Sequence, residues 1–139
     1  MKPIKALFLL ACTITLFCCQ KQDSFDILIK NGKSLHQEDM KLIWILTEDL
    51  APALAKVVFA VPKKIFKRAV DRNKIKRLMR EAYRKNKWII YDALSEKAEQ
   101  IHLSLVFTGK EEISFTETEG KIILSLQRLI SEINKTTTK

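Results

Sequence analysis

The stretch 61-VPKKIFKRAVDRNKIKRLMREAYRKNK-87 decides how this chain is read. From about Ala69 to Lys85 its apolar residues recur with helical rather than strand spacing. Place Arg72 at 0° on a helical projection and advance about 100° per residue. Ile75, Leu78, Met79 and Ala82 then gather between about 240° and 340°, while Arg72, Asn73, Lys76, Arg77, Arg80 and Arg84 gather between about 0° and 140°. One side of the helix is apolar enough to bury. The neighbouring side shows five cations and one amide. Solvated helix faces ordinarily mix signs. Here only Asp71 and Glu81 dilute the charge, and neither falls on the cationic arc.

The charge of the whole chain is concentrated in the same place. The formal net charge is +9, yet Lys63 to Lys87 alone holds twelve Lys and Arg against two acids, a local net of +10, so the other 114 residues sum to −1. Charge packed into one segment marks the docking site of a polyanion. Nucleic acid is the leading partner and an acidic membrane surface the second. A chain of 139 residues that is 47% apolar and 29% charged suits one folded domain. All three cysteines, Cys12, Cys18 and Cys19, lie in the first 19 residues. The body therefore has neither a disulfide framework nor a CxxC metal pair, which fits a reducing cytoplasm. His36 and His102 lack the spacing of zinc ligands.

Working outward, Val57 to Val61 is a β-prone run ended by Pro62, and Leu42 to Thr47 is a second such run. Glu48 to Ala53, with Pro52, is a loop, and Lys33 to His36 a brief edge strand. A short helix capped by Asp23 or Ser24 carries Phe25, Leu28 and Ile29 on one side, with Gly32 in the C′ position. Downstream, Ile101 to Phe107 is a strand ended by Thr108-Gly109. A last helix, Thr116 to Asn134, aligns Ile122, Ile123, Leu126, Leu129, Ile130 and Ile133 in one stripe. Residues 136–139 are expected to fray. This order of elements is an α+β domain built on one small sheet.

Residues 1–19 read differently. Lys2 and Lys5 precede an uncharged run from Ala6 to Cys19, like the front of a secretory signal. The run falls short of the ~20 apolar residues of a spanning helix. Three readings stand side by side: an export or anchoring signal, a divergent segment packed on the domain, or a start site assigned too far upstream. The domain itself is taken as 20–135.

The run Lys67-Arg68-Ala69-Val70-Asp71-Arg72-Asn73-Lys74-Ile75-Lys76-Arg77-Leu78-Met79-Arg80-Glu81 closely resembles the RNR signature of bacterial ribonuclease P protein subunits. That signature reads as a Lys, an Ala-Val pair, Arg-Asn, two residues, Lys-Arg, two residues and Arg, and each part stands in register. Val61-Pro62-Lys63-Lys64 resembles the family's strand-to-helix entry, and Asp23-Ser24-Phe25 through Asn31-Gly32-Lys33-Ser34 its first helix. The resemblance covers about residues 16–134. It implies a four-stranded sheet with three helices and a left-handed βαβ crossover, the reverse of the general rule. It also implies a division of labour. A catalytic RNA hydrolyses the phosphodiester with Mg²⁺ that it mainly holds itself, and the protein binds no cofactor tightly. Arg72, Asn73, Lys76, Arg77 and Arg80 face the catalytic RNA, with Lys63, Lys64, Lys67, Arg68 and Arg84 extending the contact. The 5′ leader of precursor tRNA lies in a cleft between sheet and first helix, against Phe25, Leu42 and Trp44. Such a protein works in the cytoplasm without stable membrane association, in conflict with the signal-like residues 1–19. Three departures stand out: residues 1–15 lack a polar, basic start, Phe66 replaces a common Gly, and Ile29 replaces a frequent aromatic.

No catalytic constellation accompanies the basic segment. There is no Gly-rich phosphate loop, no nucleophile with a base, and no metal-ligand spacing. Glu111-Glu112, Glu117 and Glu119 read as a solvated loop and helix start. Two rival readings remain: a general RNA-binding module without a cleavage partner, and an exported or lipidated basic protein. DNA binding is weaker, since no dimer interface or paired recognition helix is evident.

Overall fold

The computed structural model describes residues 26–47, 53–97 and 99–137. The expectations for residues 1–19, the Asp23 or Ser24 cap, Phe25 and residues 48–52 lie outside them. Four strands form one mixed sheet in the order β1-β2-β4-β3: β1 (Lys33–Gln37), β2 (Met40–Thr47), β3 (Ala55–Ala60) and β4 (Gln100–Phe107). β1 and β2 pair antiparallel, as do β2 and β4, whereas β3 and β4 run parallel. Each strand lies within two residues of its expected bounds.

The register sets the two faces of the sheet. Leu42 pairs with Leu105 and Trp44 with Leu103, while on the other side of β4 Val57 pairs with Leu103 and Phe59 with Leu105. Side chains alternate along a strand. Met40, Leu42, Trp44, Ile101, Leu103, Leu105 and Phe107 therefore share one face, each at most 2% exposed. Each such side chain stabilises the fold by about 1.5–3 kcal/mol through burial.

Parallel strands need a long crossover. Here it consists of α2 (Ala69–Asn86) followed by α3 (Trp88–Lys97). With a helical segment at 26–31 (α1) and α4 (Phe115–Thr137), the described residues hold four helical segments, not the expected three. α3 was missed because Trp88-Ile89-Ile90-Tyr91 reads as a β-prone run and carries no capping signal. Ile90 and Leu94, both fully buried, lie one turn apart and anchor it. α2 packs chiefly against α4, and α3 also docks on α4.

α4 begins where its cap dictates. Glu117 Oε2 accepts from the Ser114 backbone N–H (2.9 Å) and hydroxyl (2.9 Å), and the Glu117 N–H donates back to Ser114 Oγ (3.3 Å). This reciprocal pair is a capping box. Ile122, Leu126, Leu129 and Ile133 are buried to 2% or less. The helix runs on through Thr137, past the expected end at Asn134. Thr136, expected to fray, donates to the Glu132 carbonyl (2.9 Å) and accepts from Lys33 Nζ (3.2 Å).

Two glycines sit where a side chain would not fit. Gly32 directly follows α1, where it was expected, and keeps a helical bond to the Leu28 carbonyl (2.9 Å) without a positive φ. A Cβ there would lie 2.2 Å from that carbonyl oxygen and 2.7 Å from Ile43 Cγ2. Close approach of α1 to the sheet, not turn geometry, requires glycine. At Gly109 a Cβ would meet Phe107 (2.6 Å) and Asp39 (2.9 Å). Asp39 belongs to the β1–β2 turn, where Glu38 takes φ 46°. That turn is held by the Lys121 ammonium on Asp39 and by the Thr108 N–H on the Asp39 carbonyl (2.7 Å).

Candidate nucleic-acid interface

α2 buries Ile75, Met79, Ala82 and Tyr83. On the projection above these span about 280° to 20°, so the buried side is turned toward the cationic arc. Leu78, expected inside, is only half-buried, and Tyr83 takes its share of the core. The cause is the neighbouring strand: Tyr83 meets Phe59 of β3 edge-on, with ring centroids 5.8 Å apart. Burial pushes the Tyr83 hydroxyl pKa well up from its ordinary value.

The turn of the helix divides the expected RNA-facing residues. Arg72 and Lys76 are half-buried at the edge of the packed side. Arg72 Nη1 donates to the carbonyls of Phe66 (2.9 Å) and Lys67 (2.7 Å). It ties the entry loop to the first turn of α2, where Arg68 provides no side-chain cap. The loop is further fixed by Phe66, whose ring lies 6.0 Å from that of Phe107. Asn73, Arg77 and Arg80 are exposed, as are Lys63, Lys64, Lys67 and Arg68 around the helix entry. Among the described residues, none of Lys63, Lys64, Lys67, Arg68, Lys76, Arg77 and Arg80 makes an ion pair.

Other cations of the segment are engaged by the protein. Arg84 grips Glu81 through two bonds of 2.9 and 2.7 Å, so Glu81 does reach the cationic side, contrary to the projection. The bond to Arg84 holds the Glu81 carboxyl below its usual pKa, and the same pair raises that of Arg84. Lys74 bonds Glu112 at 2.5 Å, which raises its pKa. Lys85 lies over the Phe115 ring (4.6 Å) and Lys87 over Tyr91 (5.6 Å). These partners are not legible in the charge pattern, because each lies far along the chain or across one helical turn.

Leu42 and Trp44, expected at the leader, stand on the buried face of β2. Both are 2% exposed on the core face, packed under the helices. Lys33 reaches over the Trp44 ring at 5.2 Å and bonds Thr136 of α4, which fixes that face as the α4 side. α1 approaches the opposite face, where Gly32 touches Ile43. A period of two decides the matter: one step along β2 exchanges Leu42 and Trp44 for Ile43 and Ile45. Ile43, Ile45 and Val106 are half-exposed and Val58 is 41% exposed on that α1 side, with Lys41 and Lys56 among them.

Among the described residues, no group of three or more His, Cys, Asp or Glu is placed to hold a metal ion, and no helix is long and apolar enough to cross a membrane. Three acids outside α2 are bonded within the protein: Glu112 to Lys74, Glu119 to Asn86 Nδ2 (3.0 Å) and Glu117 to the α4 cap.

Residues 19–131 match the family model described as ribonuclease P. The chain is similar to the ribonuclease P protein component of Porphyromonas gingivalis, 30% identical over 112 residues, which cover 81% of this chain and 82% of that one. It is also similar to that of Chlorobaculum tepidum, 42% identical over 82 residues, 56% of this chain and 47% of the relative. Among solved structures, the RNase P protein from Thermotoga maritima superposes with a TM-score of 0.60 at 25% identity, covering 75% of this chain and 89% of that one. The Staphylococcus aureus RNase P protein shares the fold, with a TM-score of 0.59 at 18% identity over 81% of this chain and 90% of that one.

Proposed function

This chain belongs to the ribonuclease P protein family, and from that premise we propose that it lends RNA-binding surface to an endoribonuclease whose chemistry is performed by an RNA subunit. The family places it in tRNA processing as the protein component of a ribonucleoprotein. One observation carries the finer reading. The exposed side of α2 and its entry loop hold seven cations, Lys63, Lys64, Lys67, Arg68, Lys76, Arg77 and Arg80, that make no ion pair among the described residues. Like charges four residues apart destabilise a helix. Phosphates of the ribonuclease P RNA relieve that repulsion, and the release of their counterions drives binding. Asn73 adds a donor and an acceptor for a base edge or a 2′-hydroxyl. Arg72 acts one step back by holding the entry loop that carries Lys63, Lys64 and Lys67.

The 5′ leader of the precursor tRNA lies, in this proposal, on the α1 side of the sheet. Ile43, Ile45 and Val58 offer apolar contact to unpaired bases there, and Lys41 and Lys56 offer charge. Leu42 and Trp44 support this surface from behind. The Mg²⁺ of the holoenzyme supplies the metal-assisted hydrolysis and is held mainly by RNA phosphates. Partnership with a newly made RNA places the work in the cytoplasm.

The test is a reconstitution with the full chain, the ribonuclease P RNA of the same organism and a precursor tRNA at low Mg²⁺. The expected result is stimulated 5′ trimming that Arg77→Ala/Arg80→Ala abolishes without changing the melting temperature. RNA binding without any stimulation of trimming would instead leave a general RNA-binding module.

A further inference from the structure

Trp88 is the most exposed aromatic side chain among the described residues, at 60%. A single exposed apolar residue is ordinary on a protein surface. Its position here is not. Lys76, Arg80, Arg84 and Trp88 follow one another at intervals of four residues. Residues four apart on a helix are neighbours along one ridge, about 6 Å apart. α2 ends at Asn86 and α3 starts at Trp88, but Lys87 between them keeps right-handed helical dihedrals, φ −59° and ψ −26°. The ridge therefore continues for one more step, and that step is an aromatic ring.

The chemistry changes along the ridge. Lys76 and Arg80 make no ion pair among the described residues, whereas Arg84 is neutralised by Glu81. Lys85 and Lys87 are turned onto Phe115 and Tyr91. Trp88 itself makes no ring or cation contact among the described residues, and it is not part of the hydrophobic core. α3 is already anchored by Ile90 and Leu94, so the fold does not need this side chain. A strand whose phosphates run along Lys76 and Arg80 passes the Arg84–Glu81 pair and then meets, at the last step of the ridge, an open indole face. Unpaired bases stack on such faces, and indole offers the largest.

We propose that Trp88 is a stacking platform for an unpaired base of the ribonuclease P RNA, at the end of the phosphate-binding ridge. The proposal rests on the reading of α2 as the RNA-binding helix. It adds a contact that reads base exposure rather than charge.

The experiment titrates the full chain with the transcribed ribonuclease P RNA at several salt concentrations, following both tryptophan emission and affinity. The chain has two tryptophans, and Trp44 is 2% exposed, so a stacking signal belongs to Trp88. The expected result is emission quenching that saturates with complex formation and is absent in Trp88→Phe. Trp88→Ala weakens binding about tenfold, Trp88→Phe stays within about threefold of the parent, and both keep the parent's salt slope, because no phosphate contact is lost. In parallel, Arg77→Ala/Arg80→Ala weakens binding and flattens the slope. If that double variant behaves as expected while Trp88→Ala binds like the parent without loss of quenching, the stacking platform is overturned and the basic-helix reading stands. If the Arg77→Ala/Arg80→Ala chain binds with the parent's affinity and slope, the helix reading fails first and the platform with it. Quenching by anionic phospholipid vesicles but not by the RNA would also overturn it, in favour of a lipid contact. Trp88 is largely exposed, so a melting curve equal to the parent's is expected for both of its variants.

Discussion

α2 and α4 lie against each other and bury comparable apolar stripes, yet their outer faces have opposite character. α4 is built for stability. It opens on a capping box between Ser114 and Glu117. α2 opens on Arg68 with no side-chain cap, and its exposed side carries Arg77 and Arg80 without ion pairs among the described residues. The spacing of apolar residues alone would rank the two as equivalent amphipathic helices. The difference shows what function adds: a helix whose inner side obeys packing and whose outer side accepts repulsion until a polyanion arrives.

That contrast breaks if the inner sides are not equivalent. Met79→Ala in α2 and Leu129→Ala in α4 remove fully buried side chains. Each is expected to lower unfolding free energy by about 2–5 kcal/mol in a denaturant titration. The outer sides then supply the sharper test. Arg77→Ala and Arg80→Ala should each weaken ribonuclease P RNA binding by about 1–3 kcal/mol while the melting temperature holds. Arg128→Ala on α4 should alter neither quantity. A destabilised Arg80→Ala chain would mean that the cationic face serves the fold after all.

Smaller effects follow on the α4 side. Ser114→Ala removes the cap and should lower stability by about 1 kcal/mol with RNA affinity intact. The pH dependence follows from the same box. Bonds from the Ser114 backbone and hydroxyl hold the Glu117 carboxyl below its ordinary pKa of 4.5. A depressed carboxylate stabilises the fold above its ordinary pKa, and that contribution is lost as pH falls through the folded value. Glu117→Gln should therefore flatten the acid side of a plot of melting temperature against pH. An unchanged acid limb would show that the box contributes nothing in solution.

Much of this was legible in the sequence. Runs rich in β-branched and aromatic residues located β2, β3 and β4, because β-propensity and turn residues act locally. The cationic arc of α2 was visible in the spacing of Arg77 and Arg80, because charge of one sign on a helix needs no tertiary contact to be recognised. α3 was not legible, since its helix is stabilised by docking Ile90 and Leu94 on α4 rather than by its own propensity. The RNR-like run likewise did not reveal that Arg72 is a clamp on the entry loop. That role depends on where the Phe66 and Lys67 carbonyls point.

The sequence by itself determined the element order, the place of the positive charge and the family, because periodicity, turn chemistry and a long motif are properties of neighbouring residues. Only the tertiary structure decided which face of β2 is buried, how far α2 is turned about its axis, and which cations keep their charge available. Those depend on partners distant in the chain: Phe59 meets Tyr83, Glu112 takes Lys74, and the side of β2 opposite Trp44 is left for Ile43 to meet the end of α1. A one-residue step in a strand or a small rotation of a helix reverses inside and outside, and only packing against the rest of the molecule sets that choice.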